Sequence, residues 1–253
     1  MESTLDAGRN LEKSLSFLGE AAETGADLVI FPEYQMMVPD FFRLGSIAGK
    51  EVSDEFLREI KAASLSHGVG VIANLWEYDQ EKPQNSAVFV DRGRVVFRYR
   101  KIHLYDAAGS RESDIFLAGK PFPETFRFSG FRMGAAICYD IRFPELTQLY
   151  MKDGIEFLVV QAGWYGGEGK LDNWLAILRT RAIETGCFVA AAAQCGPLFT
   201  GHSVVFDPFG KKLAEAGDNE GIIVASISSE VLQRYRKDYP LAKQKRITFQ
   251  MQG

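Results

Sequence analysis

Apolar residues along the chain fall into two rhythms, helical spacing and short strand-like runs, and the order of these segments repeats. Leu11, Leu15, Leu18 and Ala22 share one helical face, and Gly25 can end that helix. Ala26 to Phe31 follows as a strand. A second helix is predicted over 54–67, with Phe56, Leu57, Ile60 and Ala63 inward and Gly68 as its stop. Val71 to Leu75 is the next strand. Ser86 to Val90 and Arg94 to Arg100 then form a hairpin around Asp91-Arg92-Gly93.

The second half runs through the same series. Arg132 to Ile137 reads as a strand and 143–151 as a helix stopped at Asp153-Gly154. Ile155 to Val160 is a strand, 173–185 a helix followed by Gly186, and Phe188 to Ala193 a strand. A hairpin joins His202–Phe206 to Lys211–Ala214 around Asp207-Pro-Phe-Gly210. The wording itself recurs: Thr24-Gly-Ala-Asp-Leu-Val-Ile parallels Asp153-Gly-Ile-Glu-Phe-Leu-Val. The expectation is an α/β chain with a pseudo-twofold repeat, two similar sheets packed face to face with helices outside, in one domain over residues 1–253. The repeat also exposes a gap. A strand precedes the first helix of the second half, and nothing equivalent precedes Leu11, so an N-terminal strand is missing from the pattern. Such a gap leaves ladder groups unpaired. Either the natural start lies upstream or residues 1–10 take an unusual role.

Composition narrows the partners. A net charge of −4 with no basic stripe argues against nucleic acid; the one basic cluster, Lys243-Gln-Lys245-Arg246, reads as a solvated or subunit-contacting tail. No apolar run reaches a membrane span, and the first residues lack a signal peptide's pattern. Three widely separated cysteines argue against a disulfide framework, and neither CxxC nor HxxxH spacing offers a metal site. The expectation is a soluble cytoplasmic enzyme that uses neither metal nor cofactor.

Three chemically complementary groups follow strand-like runs: Glu33 after Leu28–Phe31, Lys101 after Val95–Arg100, and Cys138 after Met133–Ile137. In open α/β sheets ligands bind at that rim. Cys138 opens a turn toward a helix, where free N–H groups and nearby cations favour a thiolate. Glu33 can take the thiol proton and later activate water. The N–H of Tyr139 and the ammonium of Lys101 can receive an oxyanion formed by attack on an amide-like carbon. Each residue alone has a bland reading: a buried thiol, a solvated acid, a surface lysine. Cys187 and Cys195, in apolar surroundings, read as inert packing. A Cys–His pair using His103 or His202 ranks lower, with His103 read instead as a hydrogen-bonded core histidine. Gly163 to Lys170 misses the phosphate-loop spacing by one residue and lacks its hydroxyl. It reads as a mobile loop offering Trp164 and Tyr165 to a pocket.

These residues resemble the nitrilase superfamily of carbon–nitrogen hydrolases over nearly the whole chain. The match is carried by Gly25-Ala-Asp-Leu-Val-Ile-Phe-Pro-Glu33-Tyr34, Tyr99-Arg-Lys101-Ile-His103-Leu104 and Ala136-Ile-Cys138-Tyr-Asp-Ile-Arg-Phe-Pro-Glu145. Arg179-Thr-Arg181-Ala182-Ile-Glu184 and Gly201-His202-Ser203 agree with it. The resemblance implies a four-layer α-β-β-α sandwich of two mixed sheets and a Glu33–Lys101–Cys138 triad. It also implies a fourth acid at Glu112, seven residues before Gly119, and a homodimer or higher homo-oligomer paired through the helices opening at Phe143 and near Asn173. Cys138-Tyr-Asp-Ile-Arg142 is similar to the omega-amidase and deaminated-glutathione amidase branch, which cleaves small carboxamides bearing a carboxylate. Arg142 is the candidate partner for that carboxylate, with Tyr139, Trp164 and Tyr165 as candidate pocket walls beside the loop from Gln35 to Phe42. The same triad also serves nitrilases, N-carbamoyl amide hydrolases and acyltransferases, and a non-catalytic scaffold is the reading from another class.

Overall fold

The computed structural model describes residues 1–39, 48–79, 82–121 and 123–247. The pocket-wall residues Asp40 to Phe42 lie outside them. Helix α1 spans Ala7–Glu23, capped by Asp6, whose carboxylate accepts the Arg9 N–H. Its buried stripe is Asn10, Ser14, Leu18 and Ala21, rotated from the apolar face that the spacing predicts. The rotation follows from hydrogen bonding. Asn10 Nδ2 donates to the carbonyls of Thr4 and Met36, and Ser14 Oγ donates to the Asn10 carbonyl and accepts from Gln35 Nε2. Satisfied polar groups can be buried, so Leu11 and Ala22 pack at the margins. Helix α2, Lys50–His67, repeats the pattern: Ser53 and Ser64 are buried beside Phe56 and Ile60, each donating to a backbone carbonyl.

The first sheet holds β1 (Leu28–Ile30), β2 (Gly70–Glu77), β3 (Gln84–Asp91) and β4 (Arg94–Arg100), in that order. β1 and β2 are parallel; the other pairs are antiparallel. The second holds β5 (Phe126–Phe128), β6 (Phe131–Ile137), β7 (Phe157–Ala162), β8 (Phe188–Ala193), β9 (Val204–Phe206) and β10 (Lys212–Glu215), in the order β10-β9-β8-β7-β6-β5. β6, β7 and β8 are mutually parallel, and the remaining pairs antiparallel. Strands β1 to β4 therefore share their pairing directions with β7 to β10.

Period-two alternation sets the layers. On β2 and β3, Val71, Ala73, Val88 and Val90 pack with Leu18 of α1 and with Phe56 and Ile60 of α2. Ile72, Ala87 and Phe89 face the second sheet. Phe89 meets Phe126 and Phe128 with ring centres 5.0 Å apart in each pair, and Phe97 stacks on Phe126 at 4.3 Å. Helices α3 (Pro144–Lys152) and α4 (Lys170–Thr185) bring Leu146, Tyr150, Trp174 and Leu178 to the second sheet. Gln161 of β7 ties the sheets together, its amide donating to the carbonyls of Phe31 (2.7 Å) and Ile72 (3.2 Å).

Three kinds of element escape the sequence pattern: β5, only three residues long; a 3-10 turn at Glu112–Asp114; and the helices α5 (Ser229–Asp238) and α6 (Leu241–Gln244). β1 is also shorter than the apolar run that encodes it. Residues 1–4 run between two loops. The Met1 carbonyl accepts from Cys195 N–H, Ser3 N–H donates to Gln194 Oε1, and the Thr4 carbonyl accepts from Val38 N–H. No described helix is long and apolar enough to cross a membrane.

Candidate active site

Glu33 lies three residues beyond β1, Lys101 directly beyond β4, and Cys138 directly beyond β6. Strand ends from both sheets thus converge, and all three side chains are buried. Lys101 Nζ sits 2.8 Å from Glu33 Oε1, and 2.9 and 2.7 Å from the two oxygens of Glu112. The Cys138 thiol lies beside the Glu33 carboxylate, close enough for its charge to act on the thiol. Glu112, which the sequence supplies only through family resemblance, enters on the 3-10 turn and joins the same cluster.

Two carboxylates around one ammonium leave a net negative charge shut away from water, so other donors must compensate. Gly163 N–H donates to Glu33 Oε2 at 2.7 Å, and Tyr105 N–H to Glu112 Oε2 at 2.7 Å. Asn85 Nδ2 reaches Glu33 Oε1 at 2.9 Å and Glu112 Oε1 at 3.3 Å, while Tyr34 Oη reaches Glu112 Oε1 at 3.4 Å. The Asn85 carbonyl also accepts the Lys101 N–H, and Asn74 Nδ2 holds Asn85 Oδ1 at 2.9 Å. Position 163 needs glycine for close approach: a Cβ there would lie 2.7 Å from the Tyr34 ring.

Burial raises the Glu33 pKa, with the nearby Glu112 charge adding to it against the pull of Lys101. Burial also pushes the Cys138 thiol well above its usual range, and the Glu33 charge adds to this more than Lys101 subtracts. For Lys101, burial favours the neutral amine, but the charges of Glu112 and Glu33 outweigh it and hold the ammonium firmly protonated. The resting cluster is therefore a neutral thiol next to a carboxylate. A neutral thiol beside a carboxylate able to take its proton is the arrangement of a base-activated nucleophile.

Cys138 has φ +46°, a strained conformation for a residue with a side chain. The chain continues as a 3-10 turn, Cys138–Arg142, and α3 begins only at Pro144. The thiol thus does not open an α-helix directly, as the strand-to-helix pattern suggests. Asp140 sets the elbow. One of its oxygens accepts from His103 N–H and faces His103 Nδ1, each at 2.8 Å; the other accepts from Tyr99 Oη at 2.7 Å and Ile137 N–H at 3.0 Å. Tyr99 and His103 flank Lys101 by two residues on either side. One buried carboxylate therefore binds the Lys101 segment to the Cys138 turn. His103 is committed to Asp140 and stacks on Phe143 at 3.8 Å, while His202 lies between Glu215 and Asp218. Cys187 is buried against Thr185, and burial raises its thiol to about 11.

The rim is aromatic. Tyr105 lies edge-on to Tyr139 at 5.1 Å and 6.0 Å from Tyr165, and Tyr165 lies 5.3 Å from Phe199. Burial raises the Tyr165 hydroxyl well above its ordinary range, with the charges of Glu33 and Cys138 adding to it, which places the ring beside the cluster. Trp164 is buried, its indole N–H held by the Lys170 carbonyl at 3.0 Å, and it carries the Arg142 guanidinium 4.7 Å above its ring. Arg142 makes no ion pair among the described residues, and the residue is exposed. Asn74, Asn85, Tyr105 and Asp140 belong to this site and were not anticipated from the sequence. Tyr105 alone had a signal, continuing the every-second-residue series Lys101, His103. No metal-binding cluster of His, Cys, Asp and Glu occurs among the described residues.

Asp140→Asn should lower kcat/KM by about 100-fold while the chain remains folded, because the new amide turns a donor toward a buried N–H and loosens the elbow. Steady-state kinetics and urea unfolding on the same preparation check this. Wild-type kinetics with unchanged stability would remove Asp140 from the account.

Comparison with known proteins shows the family of this chain. The carbon-nitrogen hydrolase family profile matches residues 1–237. The chain is 31% identical over 240 residues to a deaminated glutathione amidase of Escherichia coli O157:H7, covering 94% of this chain and 92% of that protein. It is 29% identical over 238 residues to the 2-oxoglutaramate amidase of Bacillus subtilis, covering 92% and 89%. Among solved structures, an amidase from Nesterenkonia sp. AN1 superposes with a TM-score of 0.83 at 26% identity, covering 95% of this chain and 92% of that one. In this form, a mutant, the acetamide moiety of fluoroacetamide is covalently added at the active site cysteine. The chain belongs to the carbon-nitrogen hydrolase family, and is an enzyme acting on carbon–nitrogen bonds other than peptide bonds.

Proposed function

We propose that this chain hydrolyses a small carboxamide that carries a carboxylate, such as the omega-amide of a dicarboxylic acid, releasing ammonia through a thioester on Cys138. The observation that carries the reading is the buried Lys101, bridged to Glu33 and Glu112, with the buried Cys138 thiol beside them. Glu33 takes the thiol proton as Cys138 Sγ bonds to the amide carbon. The oxyanion that forms is received by the Lys101 ammonium and the Tyr139 N–H, which has no backbone partner among the described residues. On collapse the carbon–nitrogen bond breaks, and the proton on Glu33 leaves with the ammonia. Water then enters, gives a proton to Glu33 and attacks the thioester carbon. Expulsion of the sulfur frees the carboxylic acid and returns the proton to Cys138. Glu112, with its two oxygens 2.9 and 2.7 Å from Lys101 Nζ, keeps that ammonium in place.

The substrate class rests on Arg142. It projects from the 3-10 turn that carries Cys138, four residues on, and is braced by Trp164. A free guanidinium at that reach can bind a carboxylate in a fork of two hydrogen bonds. Relatives named for 2-oxoglutaramate and deaminated glutathione, both amides with free carboxylates, support the same class. We also propose that copies pair through the outer faces of α3 and α4.

Cys138→Ala should abolish ammonia release from dicarboxylic monoamides, and brief incubation of the unaltered enzyme should leave an acyl mass on the Cys138 peptide. Retained turnover in the variant refutes the nucleophile. Arg142→Ala should raise KM for a monoamide about tenfold or more while leaving a neutral aliphatic amide of equal length nearly unaffected. Equal effects on the two substrates would detach Arg142 from carboxylate recognition.

A further inference from the structure

Helix α4 buries Trp174, Leu178, Arg181, Ala182 and Thr185. Arg181 is the one charge in that stripe, and a guanidinium is seldom buried unless its donors are used. Its Nε and Nη2 both donate to a single oxygen, the Ile141 carbonyl, at 2.9 and 2.7 Å. Its Nη1 donates at 2.8 Å to Glu184 Oε1, three residues further along the same helix. The buried Thr147 of α3 places its hydroxyl 3.0 Å from that same Glu184 oxygen. Arg181-Ala-Ile-Glu184 is thus a clamp. Glu184 and Thr147 hold the guanidinium, and the guanidinium holds a carbonyl.

That carbonyl has no other donor. Ile141 is the fourth residue of the 3-10 turn Cys138–Arg142 and is buried. In a continuing helix its oxygen would accept from a residue three or four positions on. Phe143, at φ −102° and ψ 100°, takes the chain out of the turn, and Pro144 has no N–H to give. Among the described residues no backbone N–H reaches the Ile141 oxygen. Without Arg181 it would be a buried acceptor left unpaired.

The bond fixes the peptide plane between Ile141 and Arg142, because the Ile141 carbonyl and the Arg142 N–H belong to one rigid unit. The neighbouring positions are held by other means. Asp140 is tied to the Lys101 segment through His103, and Phe143 stacks on the His103 ring at 3.8 Å. Cys138 stands at the far end of the turn, where Asp140 anchors the Ile137 N–H. Arg181 therefore acts on the Arg142 end. Its clamp sets the direction in which the Arg142 side chain leaves the backbone, and Trp164 carries the guanidinium at the other end of that side chain.

We propose, resting on the reading of Arg142 as the carboxylate partner, that Arg181 is a positioning residue for substrate selection: by clamping the Ile141 carbonyl it aims Arg142 at the substrate carboxylate. Arg181 itself touches no substrate. Lysine cannot take its place, because one ammonium does not give two N–H groups to the carbonyl in a fixed fork and reach Glu184 as well.

The test is a double-mutant cycle on the full chain. kcat/KM is measured for a dicarboxylic monoamide and for a neutral aliphatic amide of equal length in the unaltered enzyme, Arg181→Lys, Arg181→Met, Arg142→Ala, and each Arg181 variant combined with Arg142→Ala. Urea unfolding of each preparation accompanies the kinetics. Arg181→Lys should lower the ratio of monoamide to neutral-amide kcat/KM about tenfold, mainly through KM, and Arg181→Met at least as far. In the Arg142→Ala background neither should change the ratio by more than about twofold. Arg181→Lys keeps charge and length, so it decides the matter if the methionine variant does not fold. A packing role alone would slow both substrates together, so equal losses overturn the proposal, as does a loss of ratio that persists when Arg142 is absent. Arg142→Ala reports separately on the underlying reading. If it leaves the ratio as in the unaltered enzyme, the carboxylate assignment fails and the proposal falls with it; if it lowers the ratio while the Arg181 variants do not, the proposal alone fails.

Discussion

Lys101 Nζ lies 2.8 Å from Glu33 Oε1 and 2.7 Å from Glu112 Oε2, with all three side chains closed off from water. The rest of the working end follows from keeping that arrangement tolerable. A buried ion pair stripped of one partner leaves an uncompensated charge, which costs about 3–5 kcal/mol. Here there are two carboxylates for one ammonium, so the backbone N–H groups of Gly163 and Tyr105 and the side chain of Asn85 make up the difference. Burial, with the same excess of negative charge, keeps the neighbouring thiol protonated. In the proposed mechanism the nucleophile is therefore not a preformed thiolate but a thiol that passes its proton to Glu33 as it attacks.

Holding charged groups to such spacing requires a stiff frame, and it is built mainly from buried amides and one further carboxylate. Gln161 joins the two sheets just behind Glu33, and Gln194 Nε2 fixes the Glu33 carbonyl at 2.8 Å. Asn74 accepts the Tyr34 N–H and supports Asn85. Asp140 couples the elbow to the lysine-bearing segment. Each of these polar side chains is buried and hydrogen-bonded, with Gln161 Oε1 alone among their polar atoms lacking a partner among the described residues, so the interior carries position as well as cohesion. The positive φ of Cys138 is held by these contacts, with Ile137 N–H and the His103 backbone both anchored on Asp140.

Much of this was legible in the sequence, and the boundary is a physical one. Glu33, Lys101 and Cys138 each follow an apolar run, so period and strand-end logic locate them. The sheets and the two helices before each second strand follow from the same runs. Glu112 lies on a short 3-10 turn with no periodic signal, and only family resemblance pointed to it. Asn10, Ser14, Ser53 and Ser64 occupy the buried stripes of their helices because partners distant in sequence satisfy them, and no local pattern encodes that. Asn85 and Asp140 look from sequence like ordinary strand and turn polar residues. Their roles exist only once two sheets bring residues 33, 85, 101, 112 and 140 together.

The coupling of thiol to base is tested most directly by the rate of Cys138 alkylation with iodoacetamide as a function of pH, in the unaltered chain and in Glu33→Gln. If Glu33 must be ionised to accept the proton, the rate should rise along a limb set by a carboxyl group shifted above the ordinary value of about 4.3. That limb should vanish in the variant. A single thiol-like limb near the ordinary value of about 8.5, identical in both proteins, would contradict the account.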